Sequence, residues 1–218
     1  MTGLPFWEYV ETFRDELITK TIQHLLLSLY VLLLATVLGI LLGMLTYRSK
    51  LLSATSIGLL AIGFTIPSIA LFGLLVPVFG LGLAVGFPVI TMYGLLPVLR
   101  NTIVGLNSVD KPTLDAARGI GMGRLRILLR IEMPLAWPVI LTGVRVSAQL
   151  IVGIVAIGAY VSVPGLGELL FDSLQNLGSA NKLQQAIAAT VLVAAIALVL
   201  DAAFVLVRRF STPRGIRV

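Results

Sequence analysis

The chain contains no cysteine, a single histidine and few charges of either sign. Without cysteine there can be no disulfide and no thiolate metal centre. His24 alone cannot build a His-rich site, so no metal site is expected. Charged residues make up 12% of the 218, about half of the roughly 25% usual in soluble domains. Acidic residues are the scarcer sign, 10 against 16 basic, for a net charge of +6. In a soluble chain that excess would suggest nucleic acid. Here the cations flank long apolar runs, which argues against nucleic acid and for a lipid bilayer. Also missing is any Gly-x-x-x-x-Gly-Lys-Ser/Thr phosphate loop, so ATP chemistry is not expected on this chain.

What is present is apolar: 58% of the residues are hydrophobic and the mean hydropathy is +1.03. Leu25–Tyr47 runs 23 residues without a charge, enough to cross a hydrocarbon core of about 30 Å. Glu8 and Glu11 precede the first basic residue, Arg14. The basic start of a cleavable signal is therefore lacking, and this run reads as a retained span. Leu51–Leu99 is free of charge over 49 residues. As one helix it would be roughly 74 Å long, so it must fold back, and Pro77, Gly80, Gly82 and Gly86 mark the turn. Spans are predicted near 53–76 and 83–103. A fourth lies within Met133–Gly167 and a fifth at Leu183–Val207, each interrupted by one charge, Arg145 and Asp201. The fold class is all-α: a polytopic membrane protein of about five helices.

The cations set the orientation. If the segment between Arg100 and Glu132 is cytoplasmic, then so are the turn near 48 and the C-terminus. Those three places hold 12 of the 16 basic residues, while Arg14, Lys20 and Lys182 remain outside. The positive-inside rule then puts the N-terminus outside and the C-terminus in the cytoplasm. Residues 1–22 form an external segment. Within it Phe6, Tyr9, Val10, Phe13, Leu17 and Ile18 recur at helical spacing opposite Glu8, Glu11, Asp15 and Glu16. Residues 23–207 form the transmembrane domain, and 208–218 a cytoplasmic basic tail.

The loop 109–134 carries most information. Asp110 or Thr113 can cap a helix, with Pro112 in its first turn. Gly119, Gly121 and Gly123 interrupt it, and Gly121 permits a sharp turn. A second helix over Arg124–Met133 has Leu125, Leu128, Leu129 and Ile131 on one side, Arg124, Arg126 and Arg130 mostly on the other, and Pro134 at its end.

Within this loop stand Asp115-Ala116-Ala117, then Gly121, then Ile131 and Met133-Pro134. The spacing is that of the Glu-Ala-Ala motif in permeases of binding-protein-dependent ABC importers, with Asp115 for Glu and Met133 for Leu. The chain resembles that family from about residue 20 to 207. The resemblance implies a type I ABC importer permease fold in a bacterial or archaeal plasma membrane. It implies that the coupling-helix loop docks into a groove of an ABC ATPase subunit through Asp115, Ala116, Ala117, Gly121, Ile131, Met133 and Pro134. It also implies a second permease subunit, identical or paralogous, and an extracytoplasmic solute-binding protein. The chain would not be an enzyme and would bind no cofactor, ATP and Mg residing on the partner.

Thr65-Ile66-Pro67-Ser68-Ile69-Ala70, Leu96–Thr102, Leu135–Arg145 and Pro164–Leu169 are most similar to permeases for glycine betaine, carnitine and choline. Ser162-Val163-Pro164 departs from the Gly-Ala-Gly run of that group. A methionine-importer permease is similar in size and span number and is the alternative. Phe64, Tyr93 and Tyr160 are candidate pathway residues, since aromatic faces hold quaternary ammonium groups. Pro67 and Pro97 are candidate kinks near a gate. Arg145 lies roughly 10 Å along a helix from Pro138, where a bare charge costs roughly 2.5–3.5 kcal/mol. Pairing with Asp201 is the preferred reading, and a gate or substrate contact the alternative. An intramembrane enzyme would need a nucleophile and base, which are not evident. A secondary transporter commonly shows internal repeats, and none is seen.

Overall fold

A computed structural model describes residues 3–211. Part of the basic tail, with Arg214 and Arg217, lies outside the described residues. Among those described there are helices and turns and no strand.

Helices α1 (Phe6–Thr12) and α2 (Arg14–Thr46) are separated only by Phe13, whose φ of −104° and ψ of 20° break the hydrogen-bond ladder. The sequence pattern anticipates one amphipathic helix here and a boundary at residue 22. Instead α2 is continuous for 33 residues, roughly 50 Å, and its first turns extend beyond a bilayer core. Tyr9 and Leu17 are buried, whereas Ile18 is exposed and does not join them. The N-terminal segment is tied down by Leu4, whose N–H donates to Asn181 Oδ1 at 2.7 Å and whose carbonyl accepts from Gln184 at 2.8 Å.

The predicted second span is the largest departure. It is two helices, α3 (Lys50–Thr65) and α4 (Ser68–Phe79), that meet at 96°. The sequence reading takes Pro67 as a kink within one helix. In fact the helix stops. A proline excludes the α region for the residue before it, and Ile66 sits at φ −71°, ψ 129°. Pro67 then caps the start of α4. The Ile66 carbonyl left over at the corner accepts from the Tyr93 hydroxyl of α5 (Leu83–Asn107). Pro97 lies inside α5, which continues through it to Asn107.

The loop carries α6 (Lys111–Gly119) and α7 (Arg124–Ile127). A π-helical turn over Leu128–Glu132 follows, and α8 (Met133–Gly158) continues directly into a short 3-10 turn. Pro134 therefore does not end the loop helix; Arg124–Val161 is one continuous helical rod of 38 residues. The π turn explains how. Met133 N–H bonds five residues back to Leu128, and Pro134, which has no N–H, falls in the first turn of the next segment, where none is required. Two further helices complete the chain, α9 (Leu166–Gln175) and α10 (Lys182–Ser211). Arg208 and Arg209 belong to the last turn of α10.

Among the described residues four helical stretches are long and apolar enough to cross a membrane: α2, α5, Arg124–Val161 and α10. The bent pair α3–α4 makes five if it is one span. The core is built where α2, α5 and α8 meet, around Val31, Ala35, Val98, Leu99, Ile140 and Ile151. Small residues let these helices approach closely. A Cβ at Gly143 of α8 would fall 2.7 Å from the Pro97 carbonyl oxygen and 2.6 Å from Asn101 Cβ. In contrast α10 shows most of its surface, with only Gln185, Ala188, Ala189, Ile196 and Leu200 buried.

Candidate functional site: the loop 109–134 and the polar contacts behind it

The loop begins with a satisfied helix end. Asp110 Oδ2 accepts from the Thr113 N–H at 3.0 Å and from its hydroxyl at 2.9 Å. These bonds hold the Asp110 carboxyl below its ordinary range, the backbone bond contributing most. Asp110, not Thr113, is the cap.

The other end explains the motif's first spacing. Gly121 N–H donates to Arg118 at 2.9 Å and Met122 N–H to Ala117 at 3.1 Å, with Gly121 at φ +80°. This is a Schellman ending, in which the left-handed residue stands four positions after the residue whose carbonyl accepts the longer bond. The Ala117-to-Gly121 interval is thus the length of one helix termination. Ala117 is 4% exposed. Ala116 and Asp115 face outward, and Asp115 pairs with Arg118 at 2.7 Å in the open, both side chains about two-thirds exposed. Such exposed pairs contribute little to stability.

The second half of the loop divides its apolar residues between two faces, not one as the sequence pattern suggests. Ile127 is buried and Leu128 packs against the core. Ile120, Leu125 and Leu129 are 80%, 67% and 55% exposed. Ile131 and Met133 are half-buried, while Pro134 is exposed. Three large apolar side chains, exposed on a hairpin rimmed by Arg124, Arg126 and Arg130, form the kind of patch that marks a protein contact.

The intramembrane charges meet. Arg145 Nε and Nη2 donate to the two Asp201 carboxylate oxygens, each at 2.6 Å, and Gln149 Nε2 adds a third bond at 2.7 Å. This fork joins α8 to α10. Arg145 also lines a cavity of about 890 Å³ with Asn101, Thr142, Phe204 and Arg208.

The candidate pathway aromatics are not gathered in one place. Phe64 and Tyr93 pair with ring centres 5.4 Å apart near the Ile66–Pro67 corner. Tyr160 is exposed and stacks loosely on Phe171, 6.3 Å away. Tyr93 is buried and its hydroxyl is engaged. Pro97 accepts from the Asn101 side chain at 2.9 Å and bears on α8 through Gly143.

One residue the sequence reading passed over is Glu132, only 4% exposed. It accepts from the Tyr47 hydroxyl at 2.6 Å and from Arg48 at 3.2 Å. The signal was available: Glu132 is an isolated acid directly after a basic stretch, between two motif residues.

Residues 35–211 match the family described as binding-protein-dependent transport system inner membrane component. The chain belongs to this family. It is 36% identical over 206 residues to the osmoprotectant import permease protein OsmW of Salmonella typhimurium, covering 92% of this chain and 94% of that one. It is 31% identical to the choline transport system permease protein OpuBB of Bacillus subtilis, covering 96% and 95%. Its fold is similar to that of a chain from inward facing conformations of the MetNI methionine ABC transporter, with a TM-score of 0.81, 20% identity and coverage of 93% and 99%. The fold is thus that of a type I importer permease, and the family is one of transport subunits, not enzymes.

Proposed function

We propose that this permease forms half of a translocation pathway for a small osmoprotectant of the glycine betaine, choline or carnitine type. Hydrolysis of ATP by a separate ABC ATPase, docked on 109–134, drives it. The observation that carries the docking role is the hairpin surface: Ile120, Leu125 and Leu129 exposed on the loop, around a Schellman turn at Gly121. The substrate class is supported by relatives named for osmoprotectants and choline that cover more than nine-tenths of the chain. A second permease subunit and an extracytoplasmic binding protein complete the assembly. No cofactor is assigned to this chain. The test is co-expression with the partner subunits, followed by ATPase pull-down and uptake into proteoliposomes. Radiolabelled glycine betaine or choline should accumulate with ATP, and excess methionine should not compete. Methionine uptake in its place would support the methionine-importer reading.

The orientation is part of this proposal: N-terminus outside, C-terminus in the cytoplasm. Cysteine-free sequence makes the check direct. Glu11 and Lys50 are both exposed. Glu11→Cys should react with an impermeant thiol reagent added to intact cells, and Lys50→Cys only after permeabilisation. The reverse pattern would invert the topology.

A further inference from the structure

We propose that Tyr47, Arg48 and Glu132 form a clasp that carries movement of the docking loop to the end of the first span, making them positioning residues for the coupling of hydrolysis to transport. This rests on the reading that loop 109–134 docks the ATPase.

The contact spans the chain. Tyr47 and Arg48 follow the last residue of α2, and Glu132 closes the π turn 85 and 84 positions later. Three groups interlock: Tyr47 donates to Glu132 at 2.6 Å, and Arg48 Nε donates to the Tyr47 oxygen at 2.6 Å. Arg48 Nη2 donates to Glu132 at 3.2 Å and to the Arg124 carbonyl at 3.4 Å. A single guanidinium therefore holds both ends of the segment 124–132. Glu132 and Tyr47 are 4% and 6% exposed, so water competes little for the bond between them, while the Arg48 side chain that braces it is about half exposed.

Location makes the clasp more than a packing contact. Leu125 and Leu129, the exposed residues offered to a partner, lie on the same segment that the clasp grips. Within it the ladder changes to π spacing, and π turns inside α-helices are frequent at functional sites. Force on this segment reaches the membrane by two routes. One runs along the continuous rod into α8, across the π turn. The other runs through Glu132 and Arg48 into the end of α2, which packs on α5 and α8. The second route makes both spans respond together. Without it, the π turn can absorb the motion.

The experiment uses the complete transporter, with ATPase and solute-binding protein, reconstituted in proteoliposomes. Tyr47→Phe keeps the buried ring and removes two bonds, the one to Glu132 and the one from Arg48; Glu132→Gln removes the charge; Arg48→Lys keeps the charge and loses the fork. The readouts are ATPase retention, hydrolysis rate, and glycine betaine transported per ATP. We expect retention within about twofold of wild type and continued hydrolysis in each variant. The transported-to-hydrolysed ratio should fall about tenfold. A purely structural role would lower transport and hydrolysis in proportion and leave the ratio unchanged, and that result overturns the clasp. Should Glu132→Gln fail to assemble, the ratio for Tyr47→Phe decides. A wild-type chain that does not retain the ATPase at all would instead overturn the docking reading, and the clasp's role with it.

Discussion

A Gly121→Val permease is expected to insert in the membrane normally and to transport at background level. Gly121 stands at φ +80°, a conformation that is a clear outlier for a β-branched residue. Space is not the obstacle, since a Cβ there would meet nothing within 4 Å. The cost is conformational, about 1–2 kcal/mol. That is too little to unfold spans packed elsewhere. It is enough to move a turn held by two hydrogen bonds, Gly121 to Arg118 and Met122 to Ala117. If the backbone relaxes to negative φ, both bonds break and α6 swings relative to α7. Asp115 and Ala116 on α6 then shift relative to Leu125 and Leu129 on the other side of the turn. ATPase pull-down should weaken in parallel with uptake. Gly121→Asn is the control, because asparagine tolerates the left-handed region, and it should keep most of both. Wild-type uptake and ATPase binding by Gly121→Val would remove this loop as the docking element.

The second large effect concerns the charges between α8 and α10. Arg145→Leu and Asp201→Leu should each lower the yield of monodisperse, detergent-extracted protein by about tenfold, because each strands the other charge in an apolar setting. The double variant should recover most of the loss. The geometry makes the pair a defined unit: two bonds of 2.6 Å in a fork, with Gln149 on the same carboxylate. Its leverage comes from α10, which buries few side chains of its own against the rest of the chain. Losses that simply add in the double variant would dissolve the pair as an energetic unit. If the double variant is well folded but cannot transport, the pair acts on the pathway as well, in keeping with the place of Arg145 at the 890 Å³ cavity beside Phe204 and Arg208.

Read from the residues alone, the first half of the loop 109–134 was clear and the second span was not. Asp110, Pro112, Gly121 and Gly123 act through capping and turn rules that operate over four or five residues. The Ile66–Pro67 corner obeys a local rule too, yet the rule says only that the helix is disturbed. The bend of 96° is not in that rule, nor is the Tyr93 hydroxyl of α5, which donates to the Ile66 carbonyl at the corner. Pro134 misled in the opposite direction. It ends a helix when its missing N–H is needed, and the π turn before it removes that need.

By itself the sequence determined an all-helical membrane chain, the approximate places of its spans, and the cap-and-turn skeleton at the start of the loop 109–134. Each of these follows from hydropathy, charge or helix-end chemistry within a short window. Tertiary structure alone decided the break at Pro67, the division of Ile127 and Leu128 from Leu125 and Leu129, and the clasp of Glu132 with Tyr47 and Arg48. Each is a choice between partners that are distant in the chain. A buried carboxylate must find a donor, and which donor it finds is settled only when α2 and the start of α8 are packed side by side.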